Sequence, residues 1–460
     1  MKVAVIGLAR SGYAAAKLAV SLGYSVKVSD ACAGPHMSEE AVTELNKNAE
    51  ELRSLGATVE IGRHSNEYFT DADVIIASPG VPDNAMPIKI ANKYNIPVIS
   101  EIEFAVQHTN AKIIAITGTN GKTTTTALIG HILNYAKIPA VVAGNIGQAL
   151  SGVIDKVTSK SFLVIELSSF QLGIMKKFHP YIAVWLNLTP DHLDRHGSME
   201  NYAAAKGKMF MNMNPDDWAV IWNHDREITK PFIENKGIKT VWIDETGKWK
   251  QKPDEPYGLI YDNNQLVSVF NGNKNEYGEF SKLKLKGKHN IINSLAAISV
   301  ARVLRIPNHI ISEALIGFYG LPHRLEFISE KYGAKFINDS KATNVDAAIK
   351  ALEAVSKPIS LIIGGRDKDG DFGPMKNIVK EKVNKLVLIG EAACMLKEIF
   401  KDVENKVIVK TMKEAVETSV NNVPENTTVL LAPACASFDM YDNFEKRGED
   451  FSKCVLNLTM

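Results

Sequence analysis

The chain has 460 residues, of which 45% are hydrophobic and 23% charged, and its formal net charge at pH 7 is +1. This length suggests two to four domains, and the composition is ordinary for a globular protein with several buried cores. The near-neutral charge does not point to nucleic acid or to an acidic membrane surface, and no apolar run approaches the roughly 18 residues of a membrane span.

The first predicted elements in chain order form a βαβ unit. Lys2–Ile6 and Ser25–Asp30 have the pattern of buried strands, and Tyr13–Leu22 has the pattern of a helix between them. This arrangement is typical of a Rossmann-type domain. The turn reads G-x-A-x-x-G, with Ala9 where the backbone would come closest to a pyrophosphate. An NAD site is therefore disfavoured, although the same turn could serve a different nucleotide.

The segment that follows another predicted strand of this domain is a candidate ligand-binding site. Asp73–Ala77 predicts a strand that runs into the stiff segment Ser78–Pro82. Ligands of open α/β sheets sit at the carboxyl ends of strands, but a plain turn is an equally good interpretation of this stretch alone. Pro97–Ser100 predicts a last short strand, which places a domain boundary near residues 108–112.

The most informative stretch is Lys112–Thr124, a strand followed by a glycine-containing turn and a helix. Gly118 and Gly121 allow backbone N–H groups to curl around an anion, and Lys122 and Thr123 offer a mobile positive charge and a hydroxyl suited to Mg²⁺. The stretch departs from G-x-x-x-x-G-K-[ST], because isoleucine stands where the first glycine would be. We interpret it as a shorter phosphate-binding loop, with an ordinary βα turn as the alternative.

Three polar features follow in the central part of the chain. Glu166 ends the apolar strand pattern of Phe162–Ile165, and His192 follows a second such pattern over Ile182–Leu188. Because parallel strands present their carboxyl ends at one edge, we expect both side chains near the phosphate loop. Asp191 and Asp194 compete with His192 for a metal-binding role. Lys206 lies in a helical pattern over Asn201–Met213.

The remaining strand patterns also end in small and polar residues. Residues 257–285 alternate and turn, which predicts a β-rich excursion, and Asn290 and Asn293 share one face of the helix that follows. These amides could recognise an adenine, with helix capping as the alternative. Beyond the break at residues 320–324, alternating strands and helices resume, and their ends carry Lys341, Thr343 and Ser437 among others, which predicts a binding surface for an anion.

Taken together, these segments resemble the Mur ligases, the ATP-dependent, amide-forming enzymes of peptidoglycan synthesis, along nearly the whole chain. The family's motifs are matched by Thr117–Thr123 (T-G-T-N-G-K-T), Glu166–Leu172, Asp191-His192, Tyr202–Lys206, His289–Asn293 (H-N-x-x-N) and His323-Arg324. In the third domain, Asp339–Asn344 (D-S-K-A-T-N) and Pro433–Ser437 (P-A-C-A-S) resemble the branch of the family that adds D-glutamate.

The resemblance implies an α/β fold of three domains. Residues 1–110 would form a Rossmann-like domain for the UDP-linked substrate, residues 111–320 a central ATPase domain with the variant P-loop, and residues 321–460 a Rossmann-like domain for the incoming amino acid. ATP and Mg²⁺ would be the cofactors, and UDP-N-acetylmuramoyl-L-alanine and D-glutamate the substrates, joined through an acyl phosphate. We expect a cytoplasmic monomer without nucleic-acid partners or membrane insertion.

The same resemblance implies a role for individual residues. The ATP-binding residues would be Gly118, Thr119, Asn120, Gly121, Lys122, Thr123, Thr124, Asn290, Arg324 and Asp339. The catalytic residues would be Lys122, Glu166, His192 and Lys206, and the metal ligands Thr123, Glu166, His192 and Lys206. The UDP-linked substrate would contact Ser11, Ser78, Asn145 and His192. D-glutamate would contact Thr343, Lys368, Ser437 and Phe444.

Lys206 requires a separate explanation, because a free ammonium would be repelled by Mg²⁺. The resemblance implies that it is carbamylated and therefore anionic, and a solvated lysine on a helix surface is the alternative. Two other functions remain open from the sequence: a folylpolyglutamate synthetase-like ligase of the same superfamily, and a non-catalytic nucleotide-binding regulator.

Overall fold

The computed structural model describes residues 1–31, 39–78, 81–82, 84–145, 148–285, 287, 289–367 and 370–459. The chain forms two compact units, one comprising Met1–Leu283 and Lys288–Ile316, the other Lys284–Gly287 and Gly317–Met460. In the described part of the chain, the strands form three sheets, two in the first unit and one in the second. This α/β architecture confirms the fold class expected from the sequence.

The first sheet belongs to a Rossmann-like domain at the start of the chain. Its strands are β1 (Lys2–Ile6), β2 (Ser25–Asp30), β3 (Thr58–Ile61), β4 (Val74–Ala77) and β5 (Val98–Ser100), and its helices are α1 (Arg10–Ser21), α2 (Glu39–Ser54), α3 (Met86–Tyr94) and α4 (Glu101–Val106). The strands are parallel in the order β3-β2-β1-β4-β5. Helix α1 begins at Arg10, before the predicted Tyr13, because the Tyr13 N–H already donates to Ala9 O at 2.9 Å.

The second sheet carries the phosphate loop. Its strands are β6 (Lys112–Thr117), β7 (Ala140–Gly144), β8 (Phe162–Glu166), β9 (Ile182–Trp185), β10 (Trp218–Trp222), β11 (Lys239–Asp244), β12 (Tyr257–Asp262), β13 (Gln265–Phe270) and β14 (Asn273–Glu279). Their order is β14-β13-β12-β11-β10-β9-β6-β8-β7. The pairs from β7 to β12 are parallel, and the pairs β12-β13 and β13-β14 are antiparallel. The predicted β-rich excursion is therefore confirmed.

Seven α-helices belong to this domain in the described part of the chain. They are α5 (Lys122–Tyr135), α6 (Ser169–Gly173), α7 (Leu193–His196), α8 (Met199–Gly207), α9 (Arg226–Ile233), α10 (His289–Val303) and α11 (Asn308–Gly317). The helix predicted over Asn201–Met213 is shorter. It begins at Met199, where the Ser198 hydroxyl accepts a hydrogen bond from Asn201 N, and it tightens into a 3₁₀ turn over Lys208–Phe210.

One strand of this sheet also ends earlier than predicted. The sequence pattern suggested Ile182–Leu188, but β9 ends at Trp185. The backbone beyond it has another partner, since Asn187 O accepts the Thr119 N–H of the phosphate loop at 2.9 Å. These residues therefore leave the strand ladder and line the polar edge of the sheet.

The third sheet belongs to the second unit. Its strands are β15 (Glu326–Lys331), β16 (Ala334–Asn338), β17 (Ile359–Gly364), β18 (Val383–Ile389), β19 (Lys406–Val409) and β20 (Thr428–Leu431), and its helices are α12 (Val345–Ala354), α13 (Met375–Lys382), α14 (Ala393–Ile399), α15 (Met412–Ser419) and α16 (Phe444–Leu456). The order is β15-β16-β20-β17-β18-β19, with only the first pair antiparallel among these described strands. None of the described helices of the chain is both long and apolar enough to cross a membrane.

Candidate active site

The phosphate loop, residues Gly118–Gly121, connects the end of β6 to the start of α5. Gly121 has φ +84°, and a Cβ at this position would lie well inside van der Waals contact of Asn293 Oδ1. A Cβ on Gly118 would lie 2.9 Å from Leu186 Cβ. Both positions therefore require glycine. The loop leads directly into the N-terminus of α5, where free N–H groups and the helix dipole favour an anion.

The Lys122 ammonium folds back over this loop. Its Nζ donates to Gly118 O at 2.9 Å and to Thr119 O at 2.8 Å. Thr123 is half-buried in the first turn of α5, whereas the Thr124 side chain is buried. Lys122 and Thr123 thus lie where the sequence motif predicted them, beside the loop and at the helix start.

Glu166 lies on the neighbouring strand, and its environment is unusual for a carboxylate. Residue 166 ends β8 and pairs in register with Ile116 of β6. Its side chain is 2% exposed, and Oε1 accepts a hydrogen bond from Asn145 Nδ2 at 3.0 Å. Within the described residues, Oε2 has no hydrogen-bond partner. A buried carboxylate oxygen without a donor is suited to receive a cation.

Lys206 is buried at the same edge. Its side chain is 1% exposed, and its Nζ donates to Gly118 O at 2.9 Å and lies 4.6 Å from the ring centroid of Tyr202. Burial, together with the nearby positive charge of Lys122, lowers the pKa of Lys206 to about 7, although Asp191 and Glu166 act in the opposite direction. The solvated helix-surface lysine considered from the sequence is therefore wrong.

His192 stands at the start of α7 in the left-handed conformation, with φ +52°. Its Nε2 lies 3.5 Å from Asp191 Oδ2, and its ring centroid lies 5.1 Å from that of Phe170. Phe170 also stacks on His196, and the Arg195 guanidinium lies 4.1 Å from the centre of the same ring. The half-exposed His192 ring is therefore held from one side by an aromatic cluster.

The two asparagines of α10 lie against the phosphate loop. Asn293 Nδ2 donates to Asn290 Oδ1 at 2.7 Å, and Asn293 Oδ1 accepts from Thr125 Oγ1 at 3.1 Å. Both asparagines are buried. The expectation that they share one helix face is confirmed, and the same contacts place them next to Gly121.

In the first domain, the predicted substrate-binding residues lie on adjacent turns. Ser11 is in the first turn of α1 after β1, and Ser78 follows β4, which pairs with β1. A Cβ on Gly7 would lie 2.8 Å from Ser78 Oγ. This hydroxyl is buried without a hydrogen-bond partner among the described residues. The turn of α1 and the Ser78 segment therefore share one edge of the sheet.

Asp339 and Arg324 are close together in the second unit. The Asp339 carboxyl is 7% exposed, and burial raises its pKa to about 7 despite the positive charges of Arg324 and Lys341 and a hydrogen bond from the Leu325 N–H. The Arg324 Nε has no hydrogen-bond partner among the described residues. A buried acid next to an incompletely bonded guanidinium is an arrangement that a polar ligand could complete.

The segments that carry Thr343, Ser437 and Phe444 are held together by a buried arginine that the sequence did not single out. Arg447 of α16 donates to Ser340 Oγ at 3.0 Å, to Ser340 O at 2.9 Å, and to Cys435 O and Ala436 O at 3.2 Å. Ser340 Oγ in turn donates to Phe444 O at 2.8 Å. The fourth predicted D-glutamate contact, Lys368, lies outside the described residues.

A second residue missed from the sequence is Asn187, whose side chain bonds the phosphate loop at Asn120. The available signal was a polar residue near the end of the otherwise apolar run Ile182–Leu188. Among the described residues, no group of three or more histidine, cysteine, aspartate or glutamate side chains could hold a metal ion. At this edge, the buried Oε2 of Glu166 is an oxygen that could contact a cation.

Comparison with known protein families gives three consecutive matches along the chain. Residues 1–100 match the Mur ligase MurD-like N-terminal domain, residues 116–301 the Mur ligase middle domain, and residues 323–435 the Mur ligase glutamate ligase domain. The three matched segments follow the three sheets in order.

Individual relatives match over nearly their whole length. The chain is 39% identical over 459 residues to a UDP-N-acetylmuramoylalanine–D-glutamate ligase of Pelotomaculum thermopropionicum, with 99% of this chain and 98% of the relative covered. It is 40% identical over 470 residues to the protein of the same name from Chloroherpeton thalassium, with the same coverage. Among solved structures, UDP-N-acetylmuramate-alanine ligase of Thermotoga maritima matches with a TM-score of 0.59 and 22% identity, covering 99% of both chains, which shows a shared fold.

Proposed function

The chain belongs to the Mur ligase family, and we propose that it joins D-glutamate to UDP-N-acetylmuramoyl-L-alanine through an amide bond at the expense of ATP. The observation that carries this assignment is the identity of 39–40% to D-glutamate ligases over almost the whole chain. It is an enzyme of peptidoglycan precursor synthesis. Membership of the family and the three-domain α/β fold were both expected from the sequence motifs, and both are confirmed.

The reaction has a chemical obstacle, because a carboxylate is a poor acyl electrophile with oxide as its leaving group. Transfer of the γ-phosphoryl group of ATP to the terminal carboxylate of the alanyl substrate forms an acyl phosphate and releases ADP. The neutral amine of D-glutamate then attacks the acyl carbon, and the tetrahedral intermediate expels inorganic phosphate with loss of a proton from nitrogen. The new C–N bond is the amide of the product.

Phosphoryl transfer in this enzyme depends mainly on positioning and charge stabilisation. We assign phosphate binding to Gly118, Thr119, Asn120, Gly121, Lys122, Thr123 and Thr124. The Lys122 ammonium is within reach, since it already lies across the loop on Gly118 O and Thr119 O. Loss of one such stabilising group typically lowers kcat by about 10²–10³.

The residues at this edge fit a magnesium ion. The unpartnered, buried Oε2 of Glu166 and the half-buried hydroxyl of Thr123 are oxygen ligands of the kind that Mg²⁺ prefers, and we place His192 in the same shell. When bound, Mg²⁺ neutralises charge on the transferring phosphate. Asn145 holds the other oxygen of Glu166 and so fixes the direction in which Oε2 points.

We assign Lys206 as a carbamylated lysine that contributes to metal binding. A pKa of about 7 leaves a large fraction of the amine neutral near physiological pH. The neutral nitrogen attacks the carbon of CO₂, a C–N bond forms, and loss of one proton gives an anionic carbamate. The change replaces a buried cation that faces Lys122 with an anion, which removes a like-charge repulsion.

The other ligand contacts follow the three domains, with boundaries at residues 1–110, 111–320 and 321–460. For the UDP-linked substrate we assign Ser11, Ser78, Asn145 and His192. For ATP we add Asn290, Arg324 and Asp339. For D-glutamate we assign Thr343, Lys368, Ser437 and Phe444. Because both nucleotide substrates are cytoplasmic metabolites, we place the enzyme in the cytoplasm, and we expect it to act as a monomer.

The test is a coupled assay of ADP release with purified protein, ATP and Mg²⁺. Release should require UDP-N-acetylmuramoyl-L-alanine and D-glutamate together, and L-glutamate should not replace the D-isomer. Release that depends on a folate and L-glutamate would instead identify a folylpolyglutamate synthetase-like ligase. Binding of ADP without turnover on any of these acceptors would identify a nucleotide-binding regulator.

A further inference from the structure

The segment after β9, residues Leu186–Thr189, runs alongside the phosphate loop and bonds it repeatedly. The Thr119 N–H donates to Asn187 O at 2.9 Å, Thr119 Oγ1 donates to Thr189 O at 3.1 Å, and the Thr189 N–H donates to Thr119 Oγ1 at 3.0 Å. The position of a Cβ on Gly118 lies 3.3 Å from the Asn187 backbone nitrogen. The loop is therefore packed directly on this segment.

The side chain of Asn187 adds a contact of a particular kind. Its Oδ1 accepts from the Asn120 N–H at 2.8 Å, and its Nδ2 donates to Asn120 O at 3.0 Å. One primary amide thus satisfies both backbone groups of a single loop residue. A carboxylate of the same size could accept from the N–H but could not donate to the carbonyl, and alanine could do neither.

The Asn187 segment is itself anchored from the core of the sheet. Trp185 is fully buried, and its Nε1 donates to Asp225 Oδ2 at 2.9 Å. Asp225, at the start of α9, therefore anchors the end of β9 two residues before Asn187. The backbone that carries the Asn187 side chain is therefore restrained by the buried Trp185, two residues earlier in the chain.

We propose that Asn187 is a positioning residue that holds the backbone of Asn120, through both its N–H and its carbonyl, in the conformation required by the phosphates of ATP, before the nucleotide binds. The proposal rests on the ATP-dependent function proposed above. The loop carries two glycines and the exposed residue Asn120, so without a fixed partner its binding geometry would have to be ordered when the nucleotide arrives. Asn187 supplies this order in advance, which improves nucleotide affinity without touching the nucleotide.

The first test needs no ligand. Amide hydrogen exchange of the nucleotide-free enzyme, resolved at individual residues, should show the Asn120 N–H exchanging about tenfold faster in Asn187→Ala than in the wild type. The Thr119 N–H should change much less, since its acceptor is the backbone of residue 187. The matched control is Asn212→Ala, which removes an amide that donates to Lys176 O and Phe178 O before β9, at the opposite edge of the sheet.

The second test is binding measured by calorimetry. The Kd of Mg-ADP should rise about tenfold or more in Asn187→Ala, with the Kd of UDP-N-acetylmuramoyl-L-alanine and the affinity of the Asn212→Ala control for Mg-ADP unchanged. If Asn187→Ala does not fold, Asn187→Asp serves instead, because it keeps the size and the acceptor but cannot donate.

The proposal would be overturned if the exchange rate of the Asn120 N–H were the same in Asn187→Ala and the wild type. It would also be overturned if Asn187→Ala lost affinity for Mg-ADP and for UDP-N-acetylmuramoyl-L-alanine equally, or if Asn212→Ala lost as much affinity for Mg-ADP. If the wild type did not bind Mg-ADP, the proposed function would fail. The exchange experiment would then decide alone whether Asn187 orders the loop.

Discussion

The replacement of Gly121 by alanine tests the packing of the phosphate loop against α10. Two costs are expected. Gly121 has φ +84°, and a residue with a Cβ in the left-handed region loses roughly 1–2 kcal/mol of folding free energy. The new Cβ would also overlap Asn293 Oδ1, so that the amide must rotate away from Thr125 and Asn290. Each of these two buried hydrogen bonds contributes about 1 kcal/mol.

Together, these costs lower the folding stability of Gly121→Ala by about 3–4 kcal/mol. Gly23→Ala provides the matched control, because Gly23 has φ +76°, lies in the same compact unit, and has no atom within 4 Å of the added Cβ. Only the conformational cost of roughly 1–2 kcal/mol applies there. The comparison therefore isolates the collision with Asn293 from the backbone strain that both substitutions share.

Thermal denaturation and calorimetric binding of Mg-ADP measure the two consequences. Gly121→Ala should lower the melting temperature more than Gly23→Ala, and it should weaken Mg-ADP binding by about tenfold or more because both the loop and the Asn290–Asn293 pair are displaced. Gly23→Ala should bind Mg-ADP as the wild type does. Equal melting temperatures and equal Mg-ADP affinities for the two variants would refute the reasoning.

Two further predictions concern buried ionisable groups. The pKa of Asp339 is about 7 in the folded state against 3.8 ordinarily, so the folded protein binds the extra proton and loses up to about 4 kcal/mol of stability as the pH rises between these values. Asp339→Asn should remove this loss, and its gain in melting temperature over the nucleotide-free wild type should grow from pH 5 to pH 8; a constant difference would contradict the assignment. Lys206→Ala should lose ligase activity, and short carboxylic acids such as formate or acetate should restore part of it in place of the carbamate, whereas a fully active variant would exclude that role.

The phosphate loop and the strands beside it could be predicted from the sequence, because the patterns that indicate them involve residues close together in the chain. The apolar runs that begin at Lys112 and at Phe162 formed β6 and β8, and β8 extends one residue beyond the predicted Phe162–Ile165 to include Glu166. Parallel pairing then brought the ends of these strands together, as expected for carboxyl ends of neighbouring strands. The glycines, Lys122 and Thr123 lie within a few residues of one another, so that their spacing already describes a phosphate-binding turn.

Residues whose hydrogen-bond partners are far away in the sequence could not be predicted in this way. Arg447 lies in a highly charged stretch that is typical of a solvated helix, yet it is buried among carbonyl oxygens of loops about 10 and 110 residues away. The Asn187 side chain is bonded to a loop residue 67 positions earlier, and its backbone carbonyl accepts from the same loop just beyond the early end of β9. Neither contact leaves a periodic pattern in the chain.

By itself, the sequence determined the α/β class, the family and the positions of the chemical groups, because hydrophobic periodicity and motif spacing are properties of neighbouring residues. Only the tertiary structure decided which of those groups are buried, which oxygen of Glu166 is left without a donor, and how far burial lowers the pKa of Lys206. Desolvation and hydrogen-bond satisfaction depend on atoms brought together from distant segments, and no local pattern specifies them.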